Sequence, residues 1–130
     1  MSTPRKNIFK KEERLSSRTL IDFLFQEGNY SAKVYPIRAV FMSTENHQQE
    51  GVSVLISVPK KRLRHAIDRN RVKRQLREAY RKNKHTLTEQ VRQSGKGLAI
   101  VFIYVSTEIE PSNRIEKRMV QLLDKIGAEL

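Results

Sequence analysis

Residues 98–105 form an unbroken run of apolar and aromatic side chains, LAIVFIYV, in which β-branched residues are frequent. A run of this composition is typical of a β-strand that is covered on both faces, and it is too short to span a bilayer as a helix. The preceding SGKG segment (94–97) predicts a hairpin-like turn, and it does not match a phosphate-binding loop because a strand follows it. We therefore predict that residues 98–105 are the central strand of a sheet.

Two more strands are predicted earlier in the chain. Residues 34–42 carry β-forming side chains, and Pro36 within them indicates an edge position or the start of a strand, because proline has no backbone N–H to donate. Residues 52–58 place valine or isoleucine at every second position, which predicts a half-buried strand. The polar segment between them (43–51) is predicted to be a loop.

The first predicted helix covers residues 16–28, where a serine can cap the start and Gly28 suits the end. Its apolar residues are spread over two neighbouring faces, and Ile21 and Phe25 stack on the second of them. Two interpretations remain open on this pattern. Either the helix packs between two other elements, or Ile21 and Phe25 form the apolar wall of a cleft.

A second helix is predicted over residues 68–84, and a third begins after Pro111, where Asn113 and Glu116 have the spacing of a capping box. The third has a core-facing stripe made of Ile115, Met119, Leu122 and Ile126. The order of helix, strands, helix, strand and helix predicts an α/β (α+β) fold, a small α/β sandwich with one mostly central sheet and three helices. We expect a single domain over residues 14–130, preceded by a flexible basic arm at residues 1–13.

The charge balance narrows the class of partner. The chain has 26 Lys and Arg against 14 Asp and Glu, a formal net charge of +12, and an isoelectric point near 10.3. Such an excess favours a polyanion such as nucleic acid, whereas binding to an anionic membrane surface would favour a basic amphipathic helix at a terminus. No cysteine is present, which excludes disulfides and thiolate metal sites. With no apolar segment at its N-terminus the chain is expected to be cytoplasmic, without a membrane partner.

The densest basic stretch is residues 60–84, which contain twelve Lys or Arg and only two acidic residues. Arg74 and Glu78 have the spacing of an ion pair, but two carboxylates cannot neutralise twelve cations. On a helical wheel the apolar residues form one side, which should pack on the sheet: Val72, Leu76, Ala79 and Tyr80. The neighbouring stripe is cationic and suits phosphate, with Lys73 beside it and Arg71 further round: Asn70, Arg74, Arg77 and Arg81. These residues predict nucleic-acid binding without distinguishing RNA from DNA.

Catalytic side chains are not evident. His47, His65 and His85 lie far apart in polar surroundings and are interpreted as surface residues. No serine is placed as a nucleophile, and no set of carboxylates suggests a protein-based metallonuclease. We therefore assign no catalytic residue and no metal ligand to the protein.

The basic stretch resembles the signature of the bacterial ribonuclease P protein family, in which a strand ending in a Lys-Lys pair leads to an Arg-Asn-Arg helix. The matching residues are Lys60, Lys61, Ala66, Asp68, Arg69, Asn70, Arg71, Val72, Lys73, Arg74, Leu76, Arg77, Glu78 and Arg81. Upstream, Arg14 and Leu15 are similar to the family's Arg-Leu pair before its first helix. The element order agrees over nearly the whole chain after residue 13.

This resemblance implies an α/β sandwich in which the basic helix lies in a left-handed βαβ crossover. It implies endoribonuclease activity as the protein subunit of a ribonucleoprotein whose RNA subunit hydrolyses precursor tRNA with Mg²⁺ ions. The basic helix would contact that RNA, and a cleft between the first helix and the sheet would contact the single-stranded 5′ leader. The implied partners are therefore the catalytic RNA subunit and precursor tRNA, with no DNA expected.

Carried over by position, the resemblance assigns binding of the RNA subunit to Lys60, Lys61, Arg69, Asn70, Arg71, Lys73, Arg74, Arg77 and Arg81. It assigns the leader-binding cleft to Arg14, Arg18, Ile21, Phe25 and Arg38. Ile21 stands where family members often carry phenylalanine, so it would give apolar contact without ring stacking. The alternatives are a general or ribosome-associated RNA-binding module without a role in tRNA processing, and a DNA-binding protein that uses the basic helix.

Overall fold

A computed structural model describes residues 30–44 and 51–130. In these ranges the elements are β1 (Tyr30–Val34), β2 (Ile37–Thr44), β3 (Gly51–Ser57), α1 (Ala66–Asn83), α2 (His85–Ser94), β4 (Gly97–Tyr104) and α3 (Ser112–Ala128). The strands form one sheet in the order β1-β2-β4-β3. The predicted α/β fold with a single sheet is confirmed. The expected basic arm (1–13) and the expected helix at residues 16–28 lie outside the described residues.

The strand β4 is the centre of the sheet, as predicted. It pairs with β2 in antiparallel fashion and with β3 in parallel fashion. Its alternate side chains enter the main core, where Ile100, Phe102 and Tyr104 are each 0% exposed. Ala99 and Val101 point to the opposite face and are also buried. Because both faces of β4 are apolar and buried, the strand appears in the sequence as a continuous run without alternation.

The strand predicted over residues 34–42 is confirmed for residues 37–42, which belong to β2, but its start is wrong, because Val34 is the last residue of β1 and a turn separates the two strands. The chain reverses at Tyr35 and Pro36, whose peptide bond is cis, and β2 starts at the next residue. The Pro36 carbonyl accepts a hydrogen bond from the Val105 N–H (2.9 Å), which fixes the turn against the end of β4. Of the two positions that proline indicated, the strand start is confirmed. An edge position for the following strand is wrong, since β2 is internal and β1 is the edge.

All three described helices pack against one face of the sheet through a shared core. The predicted inward residues of α1 and α3 are confirmed as buried: Val72, Leu76, Ala79, Tyr80, Ile115, Met119, Leu122 and Ile126. The Tyr80 and Phe102 rings pack at a centroid distance of 5.7 Å and join α1 to β4. Gln75 holds α1 to the start of α3, because its amide nitrogen donates to the Glu110 carbonyl and to the Ser112 hydroxyl, each at 3.0 Å.

The helix α2 is absent from the predicted element order. It is short and mostly polar, and only Leu87 and Val91, one turn apart, are buried along it. It ends at Gly95, whose φ of 74° suits glycine in the left-handed region. The hairpin-like turn predicted at residues 94–97 is therefore wrong, since this turn joins a helix to a strand.

The connection from β3 through α1 and α2 to the parallel strand β4 is a crossover, as expected for adjacent parallel strands. Its left-handed sense stays a prediction. The predicted capping box of α3 is wrong, because the helix begins at Ser112 and has no side-chain cap. Asn113 lies inside the first turn, and the Glu116 carboxylate instead accepts a hydrogen bond from the Asn83 amide at 3.4 Å.

Candidate nucleic-acid interface

The outward side of α1 is a cationic surface. Since Val72, Leu76 and Tyr80 fix the rotation of the helix against the sheet, the opposite side of the helix must face solvent. The residues predicted for this side are exposed at Asn70, Arg71, Arg74 and Arg77, while Lys73 and Arg81 are half-buried. We call these six residues the cationic surface of α1. The sequence prediction of an exposed basic helix face is confirmed.

The acidic residue within this stripe is neutralised by an arginine. Glu78 pairs with Arg81, whose Nε lies 3.1 Å from the Glu78 Oε2. The pairing predicted between Arg74 and Glu78 is therefore wrong, because the Glu78 carboxylate binds Arg81, one turn after it, and not Arg74, one turn before it. The hydrogen bond from Arg81 holds the pKa of Glu78 below its usual value, so the pair is fully charged at neutral pH. Arg74 forms no ion pair with the described part of the chain and keeps its charge available.

Arg69 is turned back toward the loop that precedes the helix. Its Nη1 donates to the carbonyl oxygens of Leu63 (3.0 Å) and Arg64 (2.8 Å). These contacts satisfy carbonyl groups of the segment that carries Lys60 and Lys61, and they fix that segment against the first turn of α1. The assignment of Arg69 to RNA binding stays a prediction, whereas its contact with the loop is structural.

We expect Arg69→Ala to lower the free energy of unfolding by about 1–2 kcal/mol, because two charge-assisted hydrogen bonds to the loop are lost. Urea unfolding followed by circular dichroism measures the change. Arg71→Ala is the matched control, since it removes an exposed guanidinium of the same helix and should change the stability by less than about 0.5 kcal/mol. Equal stabilities of the two variants would contradict the structural role of Arg69.

Lys60 and Lys61 are presented at the end of β3 on a tight turn. The Pro59 carbonyl accepts hydrogen bonds from the N–H groups of Arg62 (3.0 Å) and Leu63 (3.3 Å), and Leu63 is buried in the main core. Both lysine side chains are exposed. The fold therefore presents both lysines on the loop that leads into α1 and that Arg69 holds against the first turn of the helix.

The predicted leader-binding cleft falls mostly outside the described residues. Four of its five residues lie there: Arg14, Arg18, Ile21 and Phe25. Arg38 is described, and it lies exposed on β2 with its Nε 3.4 Å from the Ser31 hydroxyl oxygen. Side chains alternate along β2, so Arg38 lies on the sheet face opposite the helices. The same face carries partly buried Met42, Leu55 and Ile103 around Ala99 and Val101, and the exposed Lys33 lies directly opposite Arg38 on β1.

Arg38 and the cationic surface of α1 therefore belong to separate surfaces, because α1 packs on the other face of the sheet. Among residues 30–44 and 51–130, no group of three or more His, Asp or Glu side chains is placed to hold a metal ion. The same residues contain no helix long and apolar enough to cross a membrane.

Comparison with known proteins identifies the family. Residues 9–127 match the family described as Ribonuclease P. The ribonuclease P protein component of Porphyromonas gingivalis is 38% identical over 130 residues, which cover 100% of this chain and 94% of that protein. That of Chlorobium phaeobacteroides is 36% identical over 113 residues, or 81% of this chain and 77% of that protein.

Solved structures agree at the level of the fold. The RNase P protein from Thermotoga maritima superposes with a TM-score of 0.69 at 24% identity, covering 87% of this chain and 96% of that one. The RNase P protein of Staphylococcus aureus gives 0.60 at 17% identity, covering 88% and 94%. The chain belongs to the ribonuclease P protein family and is the protein component of a ribonucleoprotein endoribonuclease.

Proposed function

We propose that this protein binds the catalytic RNA subunit of ribonuclease P through α1 and the 5′ leader of precursor tRNA through the opposite face of the sheet. The observation that carries the proposal is the cationic surface of α1, in which Arg71, Arg74 and Arg77 are exposed. The carboxylate beside them, Glu78, is already paired with Arg81. Cations held together on a rigid helix repel one another unless a polyanion neutralises them. Membership of the ribonuclease P protein family implies an RNA partner, which supports the catalytic RNA subunit as that polyanion.

The exposed arginines are the main contacts in this proposal. Arg74 and Arg77 project from one side of a helix that rises about 1.5 Å per residue, so their guanidinium groups can reach successive phosphates of one strand. Arg71 extends the same surface toward the loop, where Lys60 and Lys61 add further charge. Each planar guanidinium can donate two parallel hydrogen bonds to a phosphate, and this fixes orientation as well as charge.

The leader is proposed to lie along the sheet face that carries Arg38. An apolar floor beside a cation suits single-stranded RNA, since bases pack on apolar side chains while the backbone needs positive charge. Met42, Leu55 and Ile103 supply the floor among the described residues. Residues in or just before the helix predicted over residues 16–28 are proposed to complete the cleft: Arg14, Arg18, Ile21 and Phe25.

Mg²⁺ is proposed to be held mainly by the RNA subunit. The described residues do not fit a magnesium site, since no suitable carboxylate cluster is present among them. In this scheme the protein positions the RNA substrate and screens phosphate repulsion, and it supplies no residue to the hydrolytic step. A protein that supplies positive charge should lower the concentration of Mg²⁺ that the RNA needs.

The test is cleavage of precursor tRNA by the purified ribonuclease P RNA from the same source at low Mg²⁺, with and without the protein. We expect correct 5′ cleavage with the protein and little or none without it. The assembled particle should also bind precursor tRNA more tightly than mature tRNA. Equal affinities for the two would contradict the leader contact alone. Folded protein that binds RNA without any effect on cleavage would favour a general RNA-binding module.

A further inference from the structure

Ile67 is an apolar side chain in the middle of positive charge. It is 78% exposed, more than any other large hydrophobic residue in the described ranges. It lies in the first turn of α1, and the residues three, four and seven positions later are Asn70, Arg71 and Arg74. Residues at these spacings share one helix face, so Ile67 lies at the N-terminal end of the cationic surface.

Folding does not account for an isoleucine at this position. The side chain is outside the core that buries Val72, Leu76, Ala79 and Tyr80 of α1. A β-branched residue is a weaker helix former than alanine, lysine or glutamate, so helix propensity does not favour it either. A hydrophobic staple would join the residue before the N-cap to the fourth residue of the helix. With His65 as the N-cap, these two residues are Arg64 and Arg69, so Ile67 is not part of a staple. The position is therefore suited to a contact with a partner.

The partner that matches both features carries negative charge and an apolar surface. A regular A-form RNA duplex offers mainly phosphates and hydroxyl groups to a helix, whereas loops and bulges expose the faces of unpaired bases. We infer that Ile67 packs against the face of an unstacked nucleotide in the RNA that α1 binds, an inference that rests on the proposed function. Asn70, one turn further, can hydrogen-bond to the base edge or ribose of the same nucleotide while Arg71 and Arg74 hold the flanking phosphates.

The test compares Ile67→Ala with Arg74→Ala in binding to the ribonuclease P RNA over a series of salt concentrations. Removing Ile67 should weaken binding by about tenfold, or about 1.4 kcal/mol, and leave the salt slope unchanged because no counterion-releasing contact is lost. Arg74→Ala should instead lower the slope by about one. Val120→Ala is the control, since Val120 is an exposed apolar residue (37%) of α3 that lies beside Asn83, at the opposite end of α1 from Ile67, and its loss should not affect binding.

Misfolding is excluded by thermal unfolding, since alanine at an exposed helix position should keep or raise the stability of the protein. Ile67→Phe should bind at least as tightly as the unaltered protein, because an aromatic ring stacks well on an open base. If Ile67→Ala binds the RNA as tightly as the unaltered protein while Arg74→Ala lowers the salt slope, the inference about Ile67 is wrong and the proposed interface on α1 stands. Unchanged binding of both variants would overturn the proposed interface itself. An Ile67→Phe protein that binds as weakly as Ile67→Ala also contradicts contact with a base.

Discussion

Replacing Arg71, Arg74 and Arg77 together by alanine should lower the salt slope of RNA binding by about three and weaken binding about a hundredfold near physiological salt. The three guanidinium groups are exposed on one side of α1 and do not pair with Glu78, which Arg81 holds. Each is therefore free to displace a counterion from the RNA. The measurement is the dissociation constant for the ribonuclease P RNA at several KCl concentrations, plotted on logarithmic axes.

A matched control distinguishes local contacts from the loss of net charge. Arg92, Lys117 and Lys125 are exposed cations on α2 and α3, and their combined replacement by alanine removes the same charge. We expect this control to change the salt slope by less than one. If both triple variants lose the same slope, the RNA is attracted by the total charge of +12 and not by α1 in particular.

The predictable parts of the fold are those in which one residue pattern permits one structure. Residues 98–105 had to be a central strand because both faces of β4 are buried, and α1 and α3 follow from apolar stripes of helical spacing. The hairpin at Tyr35 and Pro36 was not predicted, since β-forming residues continue on both sides of the turn. The helix α2 was not predicted, because two apolar residues, Leu87 and Val91, are too few to show a helical hydrophobic pattern in the sequence.

In the candidate site, too, some features could be predicted from the sequence and others could not. Which side of α1 faces outward follows from Val72, Leu76 and Tyr80, so the exposed arginines could be identified from the sequence. The partner of each charge could not be identified in this way. Glu78 has Arg74 four residues before it and Arg81 three residues after it, and both spacings permit an ion pair. The side-chain geometry shows that Arg81 is the partner. Arg69 bonds to backbone carbonyls of the loop, and no residue type in the sequence indicates that contact.

Phe102→Ala should lower the free energy of unfolding by about 3–5 kcal/mol, which is a large part of the total for a domain of this size. Phe102 is 0% exposed on the central strand, and its ring contacts Tyr80 of α1. The substitution leaves a cavity between the sheet and the helix that carries the cationic surface. Phe102→Leu retains most of the apolar contact and should lose about 1–2 kcal/mol, as chemical unfolding of the two variants would show. Losses below about 1 kcal/mol for both would contradict the assignment of this contact to the core.

Stability and RNA binding should be coupled in this variant. The cationic surface of α1 has its geometry only when Tyr80 and its neighbours are packed on β4, so the RNA should bind the folded protein in preference to the unfolded chain. Ribonuclease P RNA at 100 times its dissociation constant should therefore return about 2.7 kcal/mol of stability to Phe102→Ala. The triple arginine variant should gain much less from the same RNA concentration, because its affinity is lower. If RNA stabilised neither protein, binding would not depend on the folded helix, and the interface on α1 would be wrong.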